Sequence, residues 1–270
     1  MAETAPPTIE PGRATDATAA APTRSRGRLD RETAILIFGL PVLILVVLGA
    51  WVAWRLTANL DSIESRQLAW PTVANLTWQH IEISAVSTFC VVLIAIPLGI
   101  AMTRPRLRKA APVVVGIANA GQSAPAIGLV VLLAIWIGFG FWTGVLAFTL
   151  YGILPVLRNT ITGLEGVDPT LVEAGRGMGM SGASVLLRIE LPLAVPVIMS
   201  GVRTALVLVV GTATFATFIN AGGLGAFITT GVTLFRYSIL ISGALLVALL
   251  ALVVEWAGRL LEMVARPKGV

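Results

Sequence analysis

Asp168–Pro196, DPTLVEAGRGMGMSGASVLLRIELPLAVP, is the one polar stretch deep inside an otherwise apolar chain, and it stands between two long apolar blocks. Connections between helices are usually short, so a polar segment of this length, opening on Asp-Pro and closing on a pair of prolines, is more than a link. Asp168 is placed to cap the helix that follows, and Pro169 fits its first turn. Leu171, Val172, Gly175, Met178 and Gly179 then set apolar and small residues at helical spacing, a short surface that another body can approach closely. The competing reading is a surface helix that packs only on its own bundle.

The rest of the chain says where such a surface sits. Of 270 residues, 56% are hydrophobic and 12% charged, and mean hydropathy is +0.90, values foreign to a soluble domain of this length. The chain reads as an integral membrane protein. Its net charge of +5 comes from 17 arginines and two lysines scattered beside apolar runs, with no interleaved aromatic platform. Membrane orientation explains them, and no nucleic acid is expected as a partner. One cysteine, Cys90, and one histidine, His80, build neither a disulfide framework nor a metal site, and Cys90 reads as a small buried apolar residue.

Outward from the polar stretch, the pattern predicts an all-α, polytopic membrane protein with about six transmembrane helices. Residues 1–33 are rich in Ala, Pro and Thr without apolar periodicity and read as a disordered cytoplasmic tail. The first span is 34–54, too long for a secretory signal and ending in Trp51 and Trp54 at headgroup level. A polar connection, Arg55 to His80, leads to a second span from about Ile83 to Met102 and a compact basic loop, Arg104 to Lys109. The third span is placed near Pro112–Ile137, interrupted at Gln122–Pro125 because a proline there frees a carbonyl that needs another partner. The fourth is near Thr143–Leu157 and the fifth near Leu193–Phe218; a Gly-rich turn, an interfacial piece over Ala226–Phe235 and a sixth span from Tyr237 to about Glu262 complete the series. Residues 264–270 form a short cytoplasmic tail. With both termini inside, 15 of the 19 basic residues are cytoplasmic, so the loop 158–192 faces the cytoplasm.

The spacing inside that loop is specific. Glu173, Ala174 and Gly175, then Gly179, then Ile189, and Leu191 with Pro192, resemble the signature of permease subunits of bacterial ABC importers, with Gly175 where a second alanine is usual. Ile96 to Gly99, Gln122 to Pro125, Leu154–Pro155 with Arg158 to Thr160, and Gly222 to Gly225 resemble more narrowly the permeases of osmoprotectant importers for glycine betaine, choline and carnitine. The likeness covers about residues 75–255, within a permease core at 75–263, and Asn220 departs from the glycine expected before the Gly222 turn. It implies a methionine-importer-like fold. It also implies a cytoplasmic coupling helix, in which Glu173, Ala174, Gly175, Arg176, Gly179, Ile189, Leu191 and Pro192 engage a separate ABC ATPase.

The residues agree on where energy must come from. No phosphate-binding G-x-x-x-x-G-K-S/T motif occurs, so no cofactor is expected on this chain and ATP is expected on a partner. Spans three and four carry no ionisable group for ion coupling. Expected partners are the ATPase, a second permease copy or sister permease, an extracytoplasmic solute-binding protein and membrane lipid. No catalytic or metal residue is assigned, since no paired carboxylates or nucleophile and base fall in the apolar runs. Gln122, Ser123, Pro125, Thr149, Tyr151 and Asn159 are taken as the pore or substrate path, while Trp136, Phe139, Phe141 and Trp142 offer aromatic faces suited to a quaternary ammonium. Arg176 and Arg188 either pair with acidic groups of the ATPase or anchor the loop at the membrane; Arg203 either meets a carboxylate or snorkels to the headgroups, the reading preferred, and Glu255 with Arg259 form an i,i+4 pair. Import of methionine, a sulfonate or a phosphonate is the nearest alternative. An ATP-independent channel or membrane scaffold is the second.

Overall fold

The computed structural model describes residues 35–265. The tail read over residues 1–33 and the last five residues lie outside the described part. Every element among the described residues is helical. A π-turn (Ile35–Gly39) leads into α1 (Leu40–Thr57), followed by α2 (Ser62–Gln67), α3 (Trp70–Met102), α4 (Ala111–Ser123), α5 (Ala126–Ile137) and α6 (Phe141–Glu165). Then come α7 (Pro169–Gly177), α8 (Gly182–Val185), a π-turn (Leu186–Glu190), α9 (Leu191–Thr212), a 3-10 stretch (Ala213–Ile219), α10 (Gly225–Thr233) and α11 (Tyr237–Ala265). Five stretches are long and apolar enough to cross a membrane, and α4 with α5 makes a sixth if the bent pair is one span.

Three boundaries differ from the sequence reading. α3 starts at Trp70 instead of Ile83, because Trp70–Pro71 opens a helix whose polar first turns still pack: His80 is fully buried. α6 runs on to Glu165, eight residues past Leu157, so Arg158, Asn159 and Thr160 are helical instead of looped. The helical run before the fifth span begins at Gly182 and passes through the π-turn without leaving helix. Polarity marks where a side chain is wetted, and a helix can leave the hydrocarbon without ending.

The expected interruption of the third span is present and sharp. α4 and α5 meet at 95° across Ala124 and Pro125. Proline disfavours helical backbone at the residue before it, and Ala124 is extended, with φ −66° and ψ 144°. The break sets Ala124 O outside both helices, and the Tyr151 hydroxyl donates to it at 2.9 Å. Pro155, inside α6, has no N–H for the carbonyl four residues back, and that carbonyl, Tyr151 O, accepts from Gln122 Nε2 at 3.2 Å. Each side of the contact therefore supplies a donor for a carbonyl left open on the other.

The core of the bundle is α3 against α6 and α6 against α9. Glycines let these helices approach: a Cβ at Gly152 would lie 2.8 Å from Val91 Cγ2, and one at Gly201 only 2.6 Å from Asn159 Cβ. Such small-residue contacts replace the missing hydrophobic drive between helices in lipid. Ile83, Phe148, Val209 and Ile219 fill one buried cluster; Leu68, Leu224, Phe227 and Ile239 fill another. α10, expected as an interfacial piece, is packed on α11, with Phe227 fully buried. α1 stands apart, tied mainly to α11 through Trp51 Nε1, which donates to Ser242 Oγ at 3.0 Å.

At one end of the bundle the Gly222–Gly225 turn is pinned to α3. Gly223 N–H donates to Gln79 Oε1 at 3.1 Å and Leu224 N–H to His80 Nδ1 at 3.2 Å, while His80 Nε2 is 2.9 Å from Val210 O. Asn220, at φ 56°, adopts the left-handed conformation that asparagine tolerates best among non-glycine residues, which accounts for its standing where a glycine was expected. Gly225 has no such latitude: a Cβ there would lie 1.9 Å from Thr214 O. Gly225→Ala is expected to destabilise the detergent-solubilised protein by about 1–3 kcal/mol, the cost of overpacking. An unchanged melting temperature would refute this packing.

Candidate functional site

The polar stretch forms a compact unit at the opposite end of α3 from His80. Its helix α7 begins where Asp168 accepts the Thr170 N–H at 2.8 Å. The Thr170 backbone N–H, followed by the Thr170 side chain, holds the exposed Asp168 carboxyl below its usual pKa. α7 ends in a Schellman motif: Met180 N–H donates to Gly175 O at 3.1 Å and Gly179 N–H to Arg176 O at 2.9 Å, with Gly179 at φ +83°. Nine residues of helix are thus bounded by two local caps.

The two faces of α7 differ. Gly175 is buried, and a Cβ at that position would lie 2.6 Å from Ile189 Cδ1. Val172, half-buried, shares this inner side. Leu171, Glu173, Ala174, Arg176 and Met178 are exposed, Leu171 at 46% and Met178 at 75%. Leu171, Ala174 and Met178 follow at i, i+3 and i+7, an apolar stripe edged by one acid and one base. The smallness at Gly175 therefore serves contact with Ile189 of the same chain, and Gly179 has open space around it and is present for its backbone conformation.

Behind α7 lies a ladder of charge. Arg104, just beyond the end of α3, pairs with Glu190 at 2.5 Å, and Arg108 pairs with Glu165 at 3.5 Å. These residues, with Val172 and Arg176, line a cavity of about 250 Å³ between the basic loop and α7. Basic loop and polar stretch are hence at one end of the bundle, as the charge distribution along the chain requires. Sequence reading passed over Glu190, which occupies the unassigned place between Ile189 and Leu191, and it used Arg104 only for orientation. A carboxylate just before an apolar helix was the available signal. Leu191 and Pro192 are half-buried at the start of α9, and Arg188 is exposed.

The residues predicted for a pore do not converge. Gln122, Pro125 and Tyr151 meet, but as the repair of the α4–α5 break. Ser123 is exposed on α4, its hydroxyl donating to Asn119 O at 2.8 Å. Thr149 is buried and donates to Ser87 O at 3.3 Å, and Asn159 lies against Gly201. Trp136, Phe139 and Trp142 crowd the exposed tip between α5 and α6, with Phe141 and Trp142 edge to face at 5.3 Å. Arg203 does not snorkel freely: it pairs with Glu255 at 3.8 Å and Glu262 at 3.2 Å, in a cleft that Gly258 leaves open. The Glu255–Arg259 pair is present at 2.8 Å. Among the described residues no group of three or more His, Cys, Asp or Glu side chains is placed to hold a metal ion.

The described residues thus form a multi-pass helical bundle with a capped helix carried on its charged end. Comparison makes this specific: the chain belongs to the family of binding-protein-dependent transport system inner membrane components, which matches residues 95–265. It is a multi-pass inner-membrane protein. Membership implies an ATPase and a substrate-binding protein as partners. The chain is 37% identical over 194 residues to the glycine betaine/carnitine/choline transport system permease protein OpuCB of Bacillus subtilis, covering 72% of this chain and 88% of that one. It is 40% identical over 194 residues to the carnitine transport permease protein OpuCB of Listeria monocytogenes, with the same coverage. To the osmoprotectant import permease protein OsmW of Salmonella typhimurium it is 39% identical over 203 residues, 73% of this chain and 94% of that one. In fold it is similar to the inward-facing MetNI methionine ABC transporter, with a TM-score of 0.66 and 22% identity over 74% of this chain and 100% of that chain.

At Gly179, replacement by alanine is expected to cost about 1–2 kcal/mol through the left-handed backbone. Hydrogen exchange at Met178–Met180 should accelerate more in Gly179→Ala than in Gly179→Asn. Equal protection in both variants would count against the cap.

Proposed function

We propose that this chain is the permease subunit of an ATP-driven importer of quaternary-amine osmoprotectants such as glycine betaine, choline and carnitine. The observation that carries the reading is the exposed apolar stripe Leu171–Ala174–Met178 on α7, a helix held rigidly at the charged end of the bundle. Large apolar side chains exposed on a water-side helix suit a partner groove better than solvent. That partner would be an ABC ATPase, with ATP bound there and not on this chain. Glu173 and Arg176 would set register at the rim of the contact, and Gly175, Gly179, Ile189, Leu191 and Pro192 would hold α7 in place.

In this reading both termini and α7 are cytoplasmic, following the basic loop Arg104–Lys109. Two permeases, identical or sister chains, would enclose the path, with the solute-binding protein delivering cargo on the far side. Closure of the ATPase would move α7 as a rigid lever and tilt the bundle. The substrate class follows the named relatives, at 37–40% identity. Methionine is less supported, because the 22% likeness to that importer speaks for the fold alone.

In vesicles reconstituted with the ATPase and binding protein, labelled glycine betaine, choline or carnitine should accumulate only with ATP, and methionine should not compete. Ala174→Arg should weaken ATPase co-purification about tenfold or more, as expected for a contact at the centre of an interface. Full uptake in that variant would sink the docking role. For topology, Arg176→Cys in a Cys90→Ser background should react with a membrane-impermeant thiol reagent only in inside-out vesicles. Labelling from the other side would reverse the orientation.

A further inference from the structure

Among the described residues Glu190 is the one buried acidic side chain, and it is tied to a residue 86 positions away. Its partner Arg104 is itself held on the end of α3: Nε donates to Ile100 O at 3.4 Å and Nη2 to Thr103 Oγ1 at 3.0 Å. The adjoining Ile189 packs over Gly175 of α7. Both residues belong to the π-turn, where Leu191 N–H reaches back five residues to Leu186 O. This wide turn gives two consecutive side chains two different partners, one on the polar helix and one just past the end of α3. Single π-turns of this kind recur at functional positions in helices.

We infer that the Arg104–Glu190 pair is the linkage by which movement of α7 reaches α3. A displacement of α7 meets Ile189 through the Gly175 contact, passes one peptide unit to Glu190, and arrives through Arg104 at the Ile100 carbonyl. α3 runs for 33 residues and stays helical through its internal Pro97, and toward its other end His80 holds the backbone of the Gly222–Gly225 turn. Push at one end of α3 is thereby delivered to a loop at the other. An ion pair suits this task because separating it would leave the buried Glu190 carboxylate without its counter-charge, so the contact resists being pulled apart. Arg104 and Glu190 are positioning residues: nothing in their setting places them on a transport path.

This inference rests on the importer reading above. Its test uses the reconstituted permease with ATPase and binding protein, measuring solute imported per ATP hydrolysed in Glu190→Gln, Arg104→Gln and the double variant. Each single change is expected to lower that ratio about two- to thirtyfold, the range over which mutations alter coupling between sites. ATPase co-purification and the amount of permease in the membrane should stay near wild type, and Arg104→Lys should retain most of the ratio. The double variant should be no worse than either single one, because both remove the same contact. An unchanged ratio in Glu190→Gln, or losses that simply add in the double variant, would overturn the linkage. A fall confined to membrane abundance would do the same, since it marks a purely structural pair. If the wild-type complex imports without ATP, the importer reading itself fails and takes the linkage with it.

Discussion

Inside a bilayer no water stands ready for a backbone carbonyl released by proline, so the carbonyl must find a donor within the protein. Prolines lie inside α3 (Pro97), α6 (Pro155) and α9 (Pro196), and Pro125 stands at the α4–α5 break; the break and Pro155 are placed so that each side supplies a donor to the other. Tyr151 OH serves Ala124 O, and Gln122 serves Tyr151 O. Without this exchange a 95° bend at the centre of an apolar segment would expose polar backbone to lipid. With it, α5 can turn back and present its aromatic tip, while α6 stays continuous and packs against α3 and α9.

The charged end obeys a related constraint. α7 has too few residues to be stable alone, since helices shorter than about 12–15 residues are marginal in water. It persists because Asp168 and Gly179 close its ends and because Gly175 seats it on Ile189. Of the signature residues, Gly175, Gly179 and Ile189 serve contacts and conformation within the chain, whereas Ala174 faces outward with its neighbours Leu171 and Met178. Glu190 joins the two by fastening the same turn to Arg104.

Class and organisation were legible in the residues. Apolar runs of membrane length, the break at Gln122–Pro125 and the polar stretch all fall where they were placed, because hydropathy and proline act locally. Helix ends were less legible, as α3 and α6 show: Trp70–His80 and Arg158–Glu165 are polar yet helical. The path residues were least legible. Gln122, Tyr151, Thr149 and Asn159 are polar residues in apolar runs, which signals only that each needs a partner. Whether that partner is a solute or a neighbouring backbone depends on which helices face each other.

By itself the sequence determined a helical membrane bundle, the position of its one protruding polar unit, and the absence of any phosphate-binding motif, since each follows from residue type and spacing along one segment. Only the tertiary structure decided that Gly175 is an inner contact, that Gly179 is a cap, that Tyr151 and Gln122 are occupied, and that Arg104 and Glu190 are joined. Those facts belong to pairs of residues up to 86 positions apart, and no local pattern encodes which distant atom a side chain will meet.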